Sequence, residues 1–245
     1  MPHSSVQPVR QGRTPQQLRD ISVLPGYSRH AEGSALVEWG HNRVLATVTI
    51  DNRLPPHLRN KKGHKSGWLT AEYALLPRST PERVQRERLY SGGRTQEIQR
   101  LIGRALRSVT DLSLFSGKTL TVDIDVIEAD GGTRCAGILA GYAALHDAVN
   151  KLTRQGKLDD WPLTHELGAV SVGIVEGVSL IDLEYSEDSR ADVDLNVVAT
   201  ADGQLVEVQG GGEEKPIPAE TYVQLVASGI TAVQRILESV RGELG

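Results

Sequence analysis

Apolar and polar residues alternate strictly from Leu120 to Val126, the period of a strand with one buried face. Between Thr95 and about Val109 the period changes, and Ile98, Leu101, Ile102, Leu106 and Val109 recur at helical spacing. Gly92-Gly93 precede that helix, and Gln96 and Glu97 fall in its first turn. Residues 36–39 and 44–50 read as strands joined through Gly40-His41-Asn42, a sequence suited to a tight hairpin. Asp130-Gly131-Gly132 breaks the next strand, and residues 133 to about 152 read as a helix rich in small side chains. Further strands are expected at 169–175, 178–183, 193–199 and 205–209, with turns at Glu176-Gly177 and Ala201-Asp202-Gly203. A last amphipathic helix is expected from about 219 to 241, and residues 1–20 read as an N-terminal arm. Strands mixed with a few helices, without regular βα alternation, predict an α+β layered fold. No Pro/Ser-rich linker and no internal repeat divide residues 1–245, so one compact domain is expected.

Composition narrows the class. The 245 residues are 39% hydrophobic and 24% charged, with Gly 25 and Pro 11, which excludes collagen-like and disordered chains. The one cysteine, Cys135, has no partner for an internal disulfide, so a reducing cytoplasm is the expected compartment. The first nineteen residues are polar and basic without an apolar run, and no stretch reaches the roughly 18 apolar residues of a membrane span. No membrane partner is therefore expected.

The net charge of −4 argues against nucleic acid only until it is counted by position. Residues 1–107 hold 18 Lys and Arg against 8 Asp and Glu, net +10, and residues 108–245 hold 9 against 23, net −14. Such asymmetry points to a polyanionic partner on the basic side. Arg78, Arg83, Arg86, Arg88, Arg94, Arg100, Arg104 and Arg107 crowd one short stretch, and the arginine fork matches phosphate oxygens bidentately. A solvated helix face pairing with Glu82, Glu87 and Glu97 accounts for the same pattern. Arg59, Lys61, Lys62 and Lys65, around Gly63 and Gly67, read as a mobile basic loop.

Three segments could carry chemistry. In Asp130-Gly131-Gly132-Thr133-Arg134, glycines permit close backbone approach and a helix start offers free N–H groups and its positive end. Thr133 adds a hydroxyl and Arg134 a cation, enough to hold one phosphate, although an ordinary glycine turn looks the same. The segment is not a Walker A loop, because no Gly-Lys-[Ser/Thr] follows. Ser91-Gly92-Gly93-Arg94-Thr95 repeats this grammar, so two turns could converge on one oxyanion. Finally, residues 182–194 place six carboxylates in thirteen positions. If the segment is a strand with a bend, Asp192 and Asp194 share a face and Asp188 folds towards them. Oxygen donors at that density suit Mg²⁺ or Mn²⁺, or else form a solvated acidic hairpin.

Other nucleophiles and ligands are poorly supported. Cys135 reads as a small buried apolar residue, and His146 as a satisfied or surface histidine. The histidines have no paired metal-ligand spacing, and no Gly-x-Ser-x-Gly elbow is present.

Taken with their order along the chain, these segments resemble the ribonuclease PH family. The resemblance runs from about Gly12 to the last helix. It rests on Arg29-His30-Ala31-Glu32-Gly33-Ser34, Gly67-Trp68-Leu69-Thr70-Ala71-Glu72-Tyr73, Leu76-Pro77-Arg78 and Gly93-Arg94-Thr95-Gln96-Glu97-Ile98-Gln99-Arg100. It continues through Ala129-Asp130-Gly131-Gly132-Thr133-Arg134, Glu187-Asp188-Ser189, Asp194-Leu195-Asn196 and Val206-Glu207-Val208-Gln209-Gly210. Polynucleotide phosphorylase cores and exosome ring subunits share the fold. The resemblance implies a ribosomal protein S5 domain 2-like α+β fold, with a mixed sheet packed against helices. The implied activity is that of a phosphorolytic 3′→5′ exoribonuclease and nucleotidyltransferase trimming transfer RNA precursors and other RNA 3′ ends. It also implies inorganic phosphate as co-substrate, nucleoside diphosphate as product, and a homo-hexamer built as a trimer of dimers.

Residue by residue, the resemblance implies that Arg94, Gly132, Thr133 and Arg134 bind phosphate. Asp188 and Asp194 match the family's essential acidic pair and would hold Mg²⁺ or Mn²⁺, while Arg78, Arg83 and Arg86 match arginines that grip the RNA. Four departures stand out. Cys135 and Gly137 occupy places where the family carries hydroxyl residues, which implies fewer hydrogen bonds to phosphate. The loop between Arg86 and Gly92 is about two residues short, Gly210-Gly211-Gly212-Glu213-Glu214 is unusual, and Arg10-Gln11-Gly12-Arg13 lacks an acidic residue before its glycine. The competing readings are a non-catalytic RNA-binding ring subunit and a hydrolytic metal-dependent nuclease. The presence of Arg94, Arg134, Asp188 and Asp194 together favours the phosphorolytic enzyme.

Overall fold

The computed structural model describes residues 9–59, 65–86 and 92–244. The first half runs through β1 (Ile21–Pro25), β2 (Gly33–Trp39), β3 (Asn42–Asp51), the helical turn α1 (Pro56–Arg59), β4 (Trp68–Leu75), α2 (Gly93–Ser108), β5 (Thr119–Glu128) and α3 (Thr133–Arg154). The second half adds β6 (Leu167–Val175), β7 (Val178–Ile181), the short α4 (Tyr185–Asp188), β8 (Val193–Thr200), β9 (Leu205–Gly212) and α5 (Ala219–Leu244). The strands form a five-stranded sheet ordered β1-β2-β3-β5-β4 and a four-stranded sheet ordered β7-β6-β8-β9. Only β4 and β5 run parallel, because α2 carries the chain back across the sheet between them.

Alternation sets the face of each strand. In β5, Leu120, Val122, Ile124 and Val126 are buried, while Thr121, Asp123 and Asp125 take the other side. The helix of small residues, α3, packs on β2 and β3 of one sheet and on β6 of the other. Its composition follows from that position between two layers. A Cβ on Gly137 would lie 3.3 Å from Ile102, and one on Gly141 3.3 Å from Leu106, so both glycines let α3 sit close to its neighbours. From the sheet side, a Cβ on Gly33 would sit 2.2 Å from the Ala144 carbonyl oxygen, so only glycine lets β2 approach the helix. α2 covers β4, and α5 covers β6, β8 and β1. One continuous hydrophobic cluster joins both sheets with α2, α3 and α5. Among the described residues no helix is long and apolar enough to cross a membrane.

The structure departs from the sequence reading at several edges. β1 and β4 are edge strands that the pattern did not mark as elements; β1 buries only Val23, and the inward positions of β4 are Leu69, Ala71 and Tyr73. The strand expected to reach 183 stops at Ile181, because Asp182 adopts a φ of 56° and its carboxylate is taken by Arg19. The last helix continues three residues beyond Arg241, to Leu244. The segment from Arg78 to Arg86 is irregular, so those arginines form no helix face with i,i+4 partners. Lys61, Lys62, Arg88, Ser91 and the shortened loop lie outside the described residues.

Candidate active site

The strand β5 ends in a turn where Gly131 and Gly132 both take a φ of 69°. A Cβ on Gly131 would lie 2.6 Å from the Tyr185 amide nitrogen and 2.7 Å from the Glu184 carbonyl carbon. The glycine therefore brings this turn into direct contact with the acidic segment 182–194. Asn42 fixes the turn from the other side, accepting from the Asp130 amide at 2.7 Å and donating to the Gly131 carbonyl at 2.7 Å. Gly132 is the N-cap of α3 and no side chain caps it. The positive end of a 22-residue helix thus begins at Thr133 and Arg134.

Thr133 Oγ1 accepts a hydrogen bond of 2.8 Å from the Tyr73 phenol. Arg134 is largely covered and lies 3.9 Å from Glu97 on α2. Arg94, in the first turn of α2, is exposed. The charges of Arg134 and Arg94 both bear on Asp188 and on Tyr73. The starts of α2 and α3 therefore lie near each other, with Arg134 beside Glu97 and both arginines acting on the same two groups.

Within the acidic segment, the six carboxylates divide by partner. Asp182 is buried against Arg19, with bonds of 2.7 and 3.1 Å to the guanidinium, and it accepts from the Arg19 amide and the Trp39 indole. Glu187 is buried against Arg10, its oxygens 2.5 and 2.7 Å from that guanidinium. Glu184 and Glu187 also form a reciprocal capping box around α4. Asp192 stays exposed and donates its amide to the Ile174 carbonyl. That leaves Asp188, at the end of α4, and Asp194, near the start of β8, without an arginine partner from the arm, and the Asp188 charge acts on Asp194.

Burial pushes the Asp188 carboxyl up from its ordinary value, against the opposing pull of Arg134 and Arg94. Burial, and then the Asp188 charge, raise Asp194 to about 6. Asp194 Oδ1 is buried with no hydrogen-bond partner, and Glu213 adds a third negative charge acting on both groups. The Asn196 side chain supports Asp194 with a hydrogen bond, while its own Oδ1 accepts from the Cys135 thiol at 3.3 Å. Two carboxyls both pushed up in pKa, one with an unpartnered buried oxygen, fit a hard divalent cation. Among the described residues no group of three His, Cys, Asp or Glu is arranged to hold a metal alone. A cation here would draw its remaining oxygens from substrate phosphate and water.

Several expectations change. Of the two departures in α3, Cys135 is buried beside Asn196, and a Cβ on Gly137 would meet Ile102 and Ile124. The basic half is partly neutralised inside the molecule. Arg10, Arg13 and Arg19 pair with Asp182, Glu184 and Glu187, and Arg104 pairs with Glu207. Arg107 donates to the Leu69 carbonyl and lies 4.8 Å over the Trp68 ring. Arg78, Arg83 and Arg86 remain exposed and form no ion pair with any described residue. His146 is half-buried between Tyr142 and Trp161, and burial holds its pKa below the ordinary value.

The pattern of residue types missed Tyr73, Asn196, Arg10 and Arg19 as parts of this site. Tyr73 and Asn196 stood only inside longer matching segments, and the arm arginines are 177 and 163 residues from their partners.

An α+β fold that sets an uncapped helix start near two arginines and two carboxyls raised in pKa is an arrangement suited to phosphate groups. The chain belongs to the 3′ exoribonuclease family, whose domain 1 matches residues 17–150 and whose domain 2 matches residues 165–232. A relative named Ribonuclease PH, from Deinococcus radiodurans, is 50% identical over 237 residues, covering 97% of this chain and 95% of that protein. Among solved structures, rice (Oryza sativa) Rrp46 superposes with a TM-score of 0.76 at 23% identity, over 96% of this chain and 99% of that one. An Archaeoglobus fulgidus exosome chain, from a complex with RNA bound to the active site, gives 0.77 at 24% identity over 93% and 91%. These two structures share the mixed-sheet α+β fold with this chain.

Proposed function

We infer that this chain is a phosphorolytic 3′→5′ exoribonuclease. Membership of the 3′ exoribonuclease family and half-identity to a Ribonuclease PH over nearly the whole chain support that activity. The observation that carries the chemistry is the contact between the Gly131 turn and the acidic segment, with Arg94 and Arg134 acting on Asp188.

In this reading, inorganic phosphate lies at the N-terminus of α3, held by Arg94, Arg134, the Thr133 hydroxyl and the backbone at Gly132. An oxygen of that phosphate attacks the phosphorus of the last phosphodiester, and the bond to the 3′-oxygen of the preceding nucleotide breaks. A nucleoside diphosphate leaves, and the proton brought by the phosphate balances the released 3′-hydroxyl. No protein nucleophile is required, in keeping with a thiol at Cys135 that is buried and pushed up in pKa, chiefly by burial. The main obstacle is the approach of two anions. The arginines and the helix end lower it by presenting preorganised positive charge where negative charge accumulates.

Asp188 and Asp194 would hold Mg²⁺, or Mn²⁺, which supplies positive charge to the leaving oxygen and the transferring phosphoryl group. Asn196 orients Asp194, and Arg10, through Glu187, orients the turn that carries Asp188. Arg78, Arg83 and Arg86 grip the RNA backbone without reading its sequence. The substrates in this reading are transfer RNA precursors and other RNA 3′ ends. The assembly is a homo-hexamer of three dimers in the cytoplasm, and light scattering at six times the chain mass would support that assembly.

The test is incubation of the purified protein with 3′-extended RNA and Mg²⁺, with and without phosphate. Shortening only when phosphate is present supports the reading. Shortening without phosphate means hydrolysis, and intact RNA in both samples means a binding subunit without catalysis.

A further inference from the structure

We propose that Tyr73 is a positioning residue of the phosphate site, donating its phenolic proton to Thr133 so that the threonine's own proton is left for the incoming phosphate. The proposal rests on the reading of residues 132–134 as the phosphate cradle.

Tyr73 lies on the edge strand β4, where alternation turns Leu69, Ala71 and Tyr73 inward together. Its side chain is 3% exposed, and a buried phenol needs a hydrogen-bond partner. The partner is Thr133 Oγ1, at 2.8 Å, on the first residue of α3. β4 thereby reaches across its neighbour β5 to the helix start that β5 feeds.

The proton count makes this contact informative. A threonine hydroxyl has one proton to give and two lone pairs. Inside a helix it commonly gives that proton back to a carbonyl one turn earlier. Thr133 opens its helix, so no preceding turn exists to take it. With Tyr73 donating into one lone pair, the Thr133 proton is free to point at an anion. Chained hydrogen bonds polarise one another, so the phenol also makes the threonine a stronger donor. Burial pushes the Tyr73 pKa up and outweighs the opposing pull of the Thr133 hydrogen bond and the nearby arginines, so the phenol stays protonated and able to donate. Arg94 and Arg134, the cations of the same cradle, are the charges that act on it.

Tyr73→Phe removes one hydroxyl and keeps the ring in place. The expected result is a KM for phosphate about three- to tenfold higher, the scale of one lost hydrogen bond. The kcat at saturating phosphate and the affinity for RNA should stay within about twofold, and the unfolding midpoint should hardly move. Thr133→Val must weaken phosphate use at least as much, which keeps the proposal testable should Tyr73→Phe fold poorly. Adding Tyr73→Phe to Thr133→Val should then change the phosphate KM no further. An unchanged KM in Tyr73→Phe, or effects that multiply in the double variant, would overturn the proposal. A wild-type protein that shortens RNA without phosphate would instead overturn the functional reading beneath it.

Discussion

The Arg19 guanidinium holds the Asp182 carboxylate at 2.7 Å and, with the same side chain, the Asp130 carbonyl at 2.6 Å. One residue of the N-terminal arm thus ties the Asp130-Gly131-Gly132 turn to the acidic segment. The Asp182 backbone, at a φ of 56°, is held in a left-handed conformation at the point where the bond forms. Removing one partner of a buried pair leaves the other charge uncompensated. Arg19→Ala should therefore cost about 3–5 kcal/mol in chemical denaturation. A loss well under 1 kcal/mol would show that the pair does not organise the site.

The same pair sets an acid limit. Burial pushes the Asp182 carboxyl up, but the Arg19 charge and hydrogen bonds outweigh this and hold its pKa below the ordinary value. A depressed folded-state pKa stabilises the protein above the unfolded value, and that stability is lost as pH falls below it. Asp182→Asn should flatten the stability-against-pH curve below about pH 4, measured by thermal unfolding across acid pH. A variant curve as steep as the wild type's would assign the acid limit to other carboxylates.

At the proposed phosphate turn, Arg134→Ala should raise the phosphate requirement by one to two orders of magnitude, about 1.4 kcal/mol per factor of ten. RNA binding, measured by filter retention without phosphate, should survive. Collapse of RNA binding with an unchanged phosphate requirement would move Arg134 out of the cradle.

The carboxylate pair gives a separate expectation. Asp194→Asn keeps the shape and removes the charge, so Mg²⁺ should no longer raise the unfolding midpoint. Turnover should fall about 10²-fold or more while phosphate binding persists. A Mg²⁺-dependent midpoint shift equal to the wild type's would place the cation elsewhere.

The exposed arginines should act mainly through salt. Replacing Arg78, Arg83 and Arg86 together by alanine should weaken RNA binding at low salt. The slope of log affinity against log salt should become shallower by about 2, at roughly 0.7 per contact with single-stranded RNA. An unchanged slope would mean that these residues face away from the nucleic acid.

Much of the fold could be read from periodicity, because strict alternation in β5 and helical spacing in α2 each report a single buried face. The small residues of α3 were visible as composition, but their reason, a helix lying between two sheets, appears only in contacts such as Gly33 with Ala144. The acidic segment shows the limit most clearly. Six neighbouring carboxylates look alike in sequence, yet Arg10 and Arg19, far away in the chain, take Glu187 and Asp182 and leave Asp188 and Asp194 without such a partner. Counting charges found the asymmetry of the two halves. It could not reveal that the arm arginines hold the acidic segment in place, a use separate from gripping RNA.

The central claim is that phosphate, and not water, cleaves the terminal bond, and the fate of labelled phosphate tests it most directly. With β-emitting or ¹⁸O-labelled inorganic phosphate, 3′-extended RNA and Mg²⁺, the label should appear in the β-phosphate of released nucleoside diphosphates and nowhere else. Unlabelled nucleoside monophosphates as the product would contradict the account.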